Sequence, residues 1–267
     1  MVKSLDRALS ILEYISKRKS VGVTEIAREF RIDKGTASKI MQTFAEHNMV
    51  AKSDSTLKYY LSEGTLQFSY QVITDNHIIR AAHPILLKLT HMTNATSRIC
   101  GISNRKIFIM DQVLGRKQRN LQDSDIPGMT KPFHCSAVGK IMLAYMPGDK
   151  AYEILESVTR EAFTENTIVD IDLLMRQLEE IRTCGYALNL AEFTDRAYCI
   201  AVPVFINGSP DYCMGISGIH DYRKNRSQFE AAIASLKESS AQITKTYNQT
   251  VKLALSGILS FRQETMM

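Results

Sequence analysis

The sequence predicts an α+β protein of two domains. A chain of 267 residues suits two compact domains better than one. In the first 62 residues apolar positions recur at spacings of three and four, which is typical of amphipathic helices. Beyond residue 95 the strand-like runs are joined both by helices and by hairpin turns, which indicates a mostly antiparallel sheet. With 45% hydrophobic and 23% charged residues, the chain has enough apolar material for a core in each domain.

Three helices are predicted in the first 48 residues. Ser4 is expected to cap the first, Thr24 the second and Asp33 the third, because each precedes an apolar-periodic run. Arg31 lies in the turn between the second and third helices. Asn48 is expected to end the third helix in a left-handed conformation.

A small hairpin is predicted after the third helix, from extended runs at 49–52 and 57–61. Three helices and a hairpin form a winged helix-turn-helix, in which the third helix enters the major groove and the hairpin, the wing, lies against the DNA backbone. One side of the third helix is small, polar or cationic, which suits that role. The predicted DNA-contacting residues are Arg7, Thr24, Lys34, Gly35, Thr36, Ser38, Lys39, Gln42, Lys52, Ser53 and Lys58.

The distribution of charge favours the same interpretation. Residues 1–62 contain 11 Lys and Arg against 7 Asp and Glu, whereas the other 205 residues contain 22 against 21. Binding of double-stranded DNA needs such a basic region, because neutralising phosphates releases counterions. The alternative is a protein-interaction module whose basic face is only solvated.

Cysteine usage and hydropathy exclude several classes of protein. The five cysteines are odd in number and widely spaced, without a C-x-x-C pair, which argues against a disulfide framework and a zinc ribbon. No cofactor or metal is expected, although a metal site involving His134 or Cys199 stays open. The chain lacks a run of 18 apolar residues and an N-terminal apolar signal region, so a cytoplasmic protein without membrane contact is expected.

A connecting helix is predicted over residues 64–76. Its apolar side chains, among them Leu66, Phe68, Tyr70 and Val72, exceed what a solvated tether needs, so contact with a partner is expected. A further helix is predicted over 78–92. After it the sequence predicts strands at 97–103, 106–113, 186–190, 199–205 and 212–218, and helices at 136–146, 149–158, from Asp170 to Gly185, and from a capping box at Ser227.

Several motifs are arranged as in a known family. They are Ser4-Leu5-Asp6-Arg7-Ala8-Leu9, Lys58-Tyr59-Tyr60-Leu61, Gly128, Pro132-Phe133-His134-Cys135-Ser136-Ala137-Val138-Gly139-Lys140, Thr164-x-Asn166-Thr167-Ile168, Gly185-Tyr186-Ala187 and Cys199-Ile200-Ala201-Val202-Pro203-Val204. In this order they resemble the IclR family of bacterial transcription regulators over nearly the whole chain. The resemblance implies a winged helix-turn-helix over 1–62, a linker helix over 63–77 and a GAF/profilin-like effector-binding domain over 78–267.

The resemblance also implies a function. The expected protein is a ligand-responsive regulator without enzymatic activity that binds double-stranded operator DNA. Repression of a catabolic operon is expected, with activation as the alternative. A homodimer is expected through the N-terminal domains and linker helices, and a homotetramer through the effector domains stays open. The effector-binding residues implied by the resemblance are Ala137, Val138, Asn189, Cys199 and Ser217. A small-molecule enzyme on the same domain is the alternative, but no acid–base pair converges in the sequence.

Departures from the family pattern bear on the effector. Arg31 replaces a frequent Gly. Lys39 replaces the usual Arg, so an ammonium group, which acts as a point charge, stands where a guanidinium could form two parallel hydrogen bonds. Asn189 replaces a common Asp, and Arg196 replaces a Gly. Because the changes at Asn189 and Arg196, near the expected pocket, remove negative charge or add positive charge, an organic or sugar acid is the expected effector. The alternative is a degenerate pocket that no longer binds an effector. Lys140 follows Gly139 without the spacing of a phosphate loop, and its side chain is expected to snorkel to the surface.

Overall fold

A computed structural model describes residues 2–116, 125–195, 197–218 and 224–264, with side chains described to residue 252. Its contacts divide the chain into two units, Met1–Asn76 and His77–Met267. Among the helices described, none combines the length and apolarity that a bilayer crossing needs. The finer division into residues 1–62, 63–77 and 78–267 stays a prediction.

The N-terminal unit contains the three helices and the hairpin that the sequence predicts. They are α1 (Lys3–Ser16), α2 (Val23–Glu29), α3 (Lys34–Glu46), β1 (Val50–Lys52) and β2 (Tyr59–Leu61), followed by a 3₁₀ turn (Glu63–Thr65) and α4 (Leu66–Asp75). The two strands are antiparallel, with Val50 opposite Leu61. Ile11, Ile26 and Met41 are fully buried and bring the three helices onto one apolar core.

The ends of these helices confirm two expectations and correct two. Asp33 caps α3 by accepting a hydrogen bond from the Thr36 N–H at 2.9 Å, and Asn48 is left-handed with φ 56°. Ser4 and Thr24 are not caps, because α1 begins one residue earlier and α2 begins after Gly22. The start of α2 is fixed by the neighbouring Val21, which forms an isolated bridge with Tyr59 of the hairpin.

Arg31 adopts the strained conformation that the missing glycine makes necessary. Its φ is 52°, in the left-handed region that favours glycine. The turn between α2 and α3 therefore keeps a backbone shape suited to glycine, with a long cationic side chain on it.

The C-terminal unit is built on one sheet. Its elements are α5 (His77–Thr93), β3 (Thr96–Ser103), β4 (Lys106–Val113), β5 (Thr130–Lys131), α6 (Ala137–Ala144), α7 (Gly148–Ser157), α8 (Ile171–Cys184), β6 (Ala187–Leu190), β7 (Tyr198–Ile206), β8 (Ser209–Gly218) and α9 (Arg226–Glu264). The strand order is β5-β4-β3-β8-β7-β6, and every neighbouring pair is antiparallel. The predicted antiparallel sheet is confirmed.

Helices cover both faces of this sheet. Ile109, Ala201 and Cys213 belong to the core shared with α6, α7 and α8. Ile200 and Met214, from the opposite face, belong to the core shared with α5 and α9. Alternate residues of each strand therefore face the two helical layers, so the position of a polar residue along a strand decides which layer it faces.

Helix ends in this unit follow the sequence in two of three cases. Asp170 caps α8 by accepting from the Leu173 N–H at 2.8 Å, and Gly185 ends that helix with φ 75°. The capping box predicted at Ser227 is wrong. Helix α9 starts at Arg226, because Asn225 accepts the Gln228 N–H at 3.1 Å and supplies the cap two residues earlier.

Candidate DNA-binding surface and effector site

Helix α3 has one buried and one exposed side. Ala37 and Met41 are buried in the core of the N-terminal unit. Lys34, Ser38 and Lys39 are exposed. The exposed side thus presents two cations and a small hydroxyl, as a helix entering a major groove requires.

The first turn of α3 is held by Asp33. The Thr36 hydroxyl donates to the second carboxylate oxygen of Asp33 at 2.6 Å. These hydrogen bonds from Thr36 lower the pKa of Asp33. A Cβ at Gly35 would lie 3.0 Å from the Asp33 carboxylate, so the small residue suits the cap. Thr36 and Gly35 therefore shape the start of α3 in addition to any contact with DNA.

The remaining predicted DNA-contacting side chains lie on several elements of this unit. The Gln42 amide donates to Glu46 at 3.1 Å, so contact with a base would exchange that bond. On the wing, Ser53 accepts from the Thr56 N–H at 3.3 Å and shapes the turn. The other members of the set are all exposed: Arg7 on α1, Thr24 on α2, and Lys52 and Lys58 on the wing.

In the C-terminal unit, three of the predicted effector residues form one row across the sheet. Asn189 of β6 is opposite Cys199 of β7, and Cys199 is opposite Ser217 of β8. Residues directly opposite in antiparallel strands share a face, which here is the face that carries Cys213 and Ala201. Asn189, Cys199 and Ser217 therefore face the layer of α6.

The other two predicted residues, Ala137 and Val138, are the first two of α6. Ser136 caps the helix and accepts the Gly139 N–H at 3.0 Å. Within the described part of the chain, the N–H groups of Ala137 and Val138 have no acceptor. Such N–H groups at a helix start attract an anion. Val138 also lies next to the sheet, since its Cγ1 would be 3.5 Å from a Cβ added at Gly215 of β8.

The amide of Asn189 is partly used by the backbone. Its Oδ1 accepts the Glu192 N–H at 2.8 Å, within a tight turn where Ala191 has φ 58°. Among the described residues, the amide nitrogen Nδ2 of Asn189 has no acceptor, so it is left to donate to a ligand. A carboxylate at Asn189 could accept the same bond but could donate none while ionised. Arg196, the other substitution near this turn, lies outside the described residues.

Lys140 does not snorkel, contrary to the prediction. Its side chain is fully buried, and its Nζ lies 2.6 Å from both carboxylate oxygens of Glu192. The Nζ also donates to the Leu188 carbonyl at 3.3 Å. Burial lowers the pKa of Lys140, although Glu192 opposes that shift. The reason is position: Lys140 lies on a helix whose eight residues are all buried, so no surface is within its reach.

A second buried charged group was missed by the sequence interpretation. Arg98 of β3 donates to the Asp125 carboxylate at 2.9 Å and to the Ser217 hydroxyl at 2.8 Å. Lys131 of β5 binds the other oxygen of the same carboxylate. Burial alone would raise the pKa of Asp125, but the charges of Arg98 and Lys131 outweigh it and lower the pKa. The available signal was an arginine inside a strand whose other residues are uncharged.

No metal site is visible among the residues that the structure describes. The His134 Nε2 lies 2.9 Å from the Glu161 carbonyl, and burial lowers the pKa of the imidazole. Burial also raises the pKa of Cys199, against the opposing effect of Arg98, and raises that of Cys135 to about 12. Both thiols are thus protonated at neutral pH and poorly suited as ligands or nucleophiles.

A winged helix-turn-helix unit and a second unit with a polar row on a buried sheet face define the class of ligand-responsive DNA-binding regulators. Comparison with known families agrees with this class. Residues 4–54 match the IclR helix-turn-helix domain, and residues 70–245 match the C-terminal domain of the bacterial transcriptional regulator IclR. The chain belongs to the IclR family, whose members are DNA-binding regulators and not enzymes.

Individual relatives show the same likeness. The chain is 26% identical over 204 residues to the HTH-type transcriptional regulator KdgR of Escherichia coli, covering 76% of this chain and 77% of that one. The Thermotoga maritima IclR structure matches with a TM-score of 0.74 and 28% identity over 92% of this chain and 99% of that one. An IclR homolog from Microbacterium hydrocarbonoxydans, complexed with 4-hydroxybenzoate, has the same fold (TM-score 0.76, 17% identity, 92% and 99% covered).

Proposed function

We propose that this regulator is a cytoplasmic repressor of a catabolic operon, released from its operator by a small organic or sugar acid. The observation that carries the proposal is the row of Asn189, Cys199 and Ser217 facing the layer of α6. The N–H groups at the start of α6 have no partner among the described residues, and together with this row they supply donors for a carboxylate inside the C-terminal unit.

The DNA-binding part of the proposal rests on α3 and the wing. Lys34 and Lys39 are exposed on the side of α3 opposite its buried residues, and Lys52 and Lys58 are exposed on the wing. Four cations on two neighbouring elements favour phosphate contacts that position α3 in the major groove. Ser38 and Gln42 then lie among the residues available for base edges.

Dimerisation is proposed through α4. This helix has no buried residue, and its side chains Leu66, Phe68, Tyr70, Val72 and Ile73 are each more than half exposed. So much apolar surface on one helix indicates burial by a partner, here a second copy of the chain. A dimer would place two α3 helices in successive major grooves of a palindromic operator.

An acid as effector is favoured by charge and by fold. Asn189 can donate to a carboxylate without repelling it, and Arg98 reaches Ser217 of the same row. The homolog complexed with 4-hydroxybenzoate has a carboxylate ligand on the same fold. An effector that binds unequally to the conformation that binds DNA and the conformation that does not will shift the balance between them.

The test is a DNA titration with the full chain. Duplexes selected from a random pool are labelled, and their affinity is measured by fluorescence anisotropy at several salt concentrations. We expect tight binding that weakens steeply with salt and is reduced by at least one acid of a metabolite panel. Salt-insensitive or absent DNA binding would favour the protein-interaction module.

The effector is tested separately by thermal shift with acidic, neutral and cationic metabolites. We expect acids to raise the melting temperature, because a ligand of the folded state stabilises it. Asn189→Asp, which restores the charge common in the family, should weaken binding of the acid. The acid proposal would be overturned by a neutral or cationic ligand that binds more tightly to Asn189→Asp than to the wild type.

A further inference from the structure

Arg98 is a buried cation with one guanidinium nitrogen that has no partner among the described residues. Its side chain is 8% exposed, and two of its nitrogens donate to Asp125 and Ser217. The third, Nε, is buried and has no hydrogen-bond acceptor among the described residues. A buried unsatisfied donor on a cation costs free energy unless a further acceptor completes it. Arg98 is therefore suited to receive one more anionic or polar oxygen.

Lys131 brings a second buried cation to the same place. Its side chain is 7% exposed and binds one oxygen of the Asp125 carboxylate, while Arg98 binds the other. The Lys131 ammonium also lies 5.0 Å from the centre of the Phe193 ring. Among the described residues, two buried cations thus share one carboxylate, so the group carries a net charge of one positive unit.

No other described carboxylate balances that charge. Glu192, the buried carboxylate of the turn next to Asn189, is held by Lys140 through both oxygens. The pair of Lys140 and Glu192 is neutral in total. Because isolated charge is unfavourable inside a protein, the excess at Arg98 and Lys131 favours an added anion.

This group adjoins the proposed effector site. The Ser217 hydroxyl, which accepts from Arg98, belongs to the row that includes Cys199 and Asn189. Arg98 and Ser217 also lie on neighbouring strands, since Ser217 is opposite Thr96 of β3. An acid held by this row would have its carboxylate within reach of the guanidinium.

We infer that Arg98 and Lys131, with Asp125 as their resident counter-ion, bind the effector's negative charge and select a monoanion over a dianion. One added negative charge makes the group neutral, whereas two leave an uncompensated negative charge in a buried site. Asp125 therefore acts as a charge filter, and its side chain sets the number of negative charges that the effector can carry. The inference rests on the proposed acid effector and names its charge.

The test measures binding of compounds with related scaffolds and different charges to the full chain by isothermal titration calorimetry. Three sets serve as probes: lactate, malonate and lactamide; gluconate, glucarate and glucose; benzoate, terephthalate and benzamide. In the scaffold that binds, we expect the monoanion to bind at least about tenfold more tightly than the dianion or the neutral analogue. Asp125→Asn should shift the preference toward the dianion by about tenfold or more.

Removing either cation should abolish the preference for an anion. Arg98→Gln and Lys131→Met should each lower the affinity for the monoanion about tenfold to a hundredfold. Arg98→Lys should retain part of that affinity. Two controls change charge at exposed positions outside the group. Lys106→Met at the start of β4 removes a positive charge, as Arg98→Gln and Lys131→Met do, and Glu179→Gln on α8 removes a negative charge, as Asp125→Asn does. They should leave acid binding unchanged, and circular dichroism checks that every variant is folded.

The outcomes separate this inference from the function on which it rests. If acids bind but Asp125→Asn leaves the preference unchanged, or Arg98→Gln and Lys131→Met do not weaken binding, the charge filter is wrong and the acid effector stands. If the folded wild type binds no acid of the panel, the acid effector is wrong, and the charge filter is wrong with it.

Discussion

Charged residues have opposite surroundings in the two units. On α3 and the wing, Lys34, Lys39, Lys52 and Lys58 lie in water and are placed by short-range features such as the Asp33 cap. In the C-terminal unit, Arg98, Lys140 and Glu192 are buried and joined to residues far away in the chain. A DNA surface needs free cations, whereas a buried site needs cations already held in place. The same residue types therefore have different roles.

The largest expected effect comes from breaking the buried pair of Lys140 and Glu192. Lys140→Met leaves the Glu192 carboxylate buried without a partner, so the C-terminal unit should lose about 3–5 kcal/mol of unfolding free energy. Urea unfolding followed by circular dichroism measures this loss. The double variant Lys140→Met/Glu192→Leu should recover most of it. A single variant as stable as the wild type would show that the pair is not buried.

The next effect concerns the apolar surface of α4. Phe68→Asp with Val72→Asp should shift the protein toward monomer, because charge cannot be buried between two apolar helices. Sedimentation velocity gives the oligomeric state. Gln67→Asp with Gln71→Asp adds the same charge at exposed polar positions of α4 and serves as the control. An unchanged oligomer in the first variant would remove α4 from the dimer interface.

Lys39→Ala tests the exposed set. If Lys39 reads a base, the variant should lose about 1–3 kcal/mol of DNA-binding free energy for the selected duplex. If it contacts only a phosphate, the loss of affinity should be similar for all DNA sequences, and the affinity should depend less steeply on salt concentration. Lys17→Ala, which removes an exposed cation outside the predicted set, is the control. Fluorescence anisotropy with unchanged affinity for Lys39→Ala would mean that α3 does not read the operator.

The smallest effect is expected at Arg31. With φ 52° at this position, Arg31→Gly should stabilise the N-terminal unit by up to about 1 kcal/mol, because glycine adopts this conformation without a Cβ clash. Asn48→Gly is the comparison, since asparagine tolerates the left-handed region and should gain less. Unfolding midpoints in urea would show the difference. A loss of stability in Arg31→Gly would mean that the side chain makes a favourable contact.

The range of the interactions explains what the sequence could predict. Caps at Asp33 and Asp170 depend on residues three positions away, so the local pattern was sufficient. The cap predicted at Ser227 failed because the nearby Asn225 competes for the same role.

The buried ion groups depend on distant partners. Arg98 contacts residues 27 and 119 positions away, and Lys140 contacts Glu192, 52 positions away. No spacing rule connects such partners, so an arginine in a strand and a lysine on a buried helix indicated only that a partner must exist. The row of Asn189, Cys199 and Ser217 was reached through the family resemblance, and its alignment depends on strand register that the sequence alone does not set.

The most direct test of the division between an exposed DNA surface and a buried acid site uses one operator titration on three proteins. Anisotropy of the labelled duplex is measured with and without the bound acid for the wild type, Lys39→Ala and Arg98→Gln. We expect the acid to weaken DNA binding in the wild type and, by the same factor, in the weaker Lys39→Ala, because effector coupling is independent of α3. Arg98→Gln should bind DNA normally and need about tenfold to a hundredfold more acid for the same response. A folded Arg98→Gln that responds at the acid concentration of the wild type would contradict the role of Arg98 in the buried acid site.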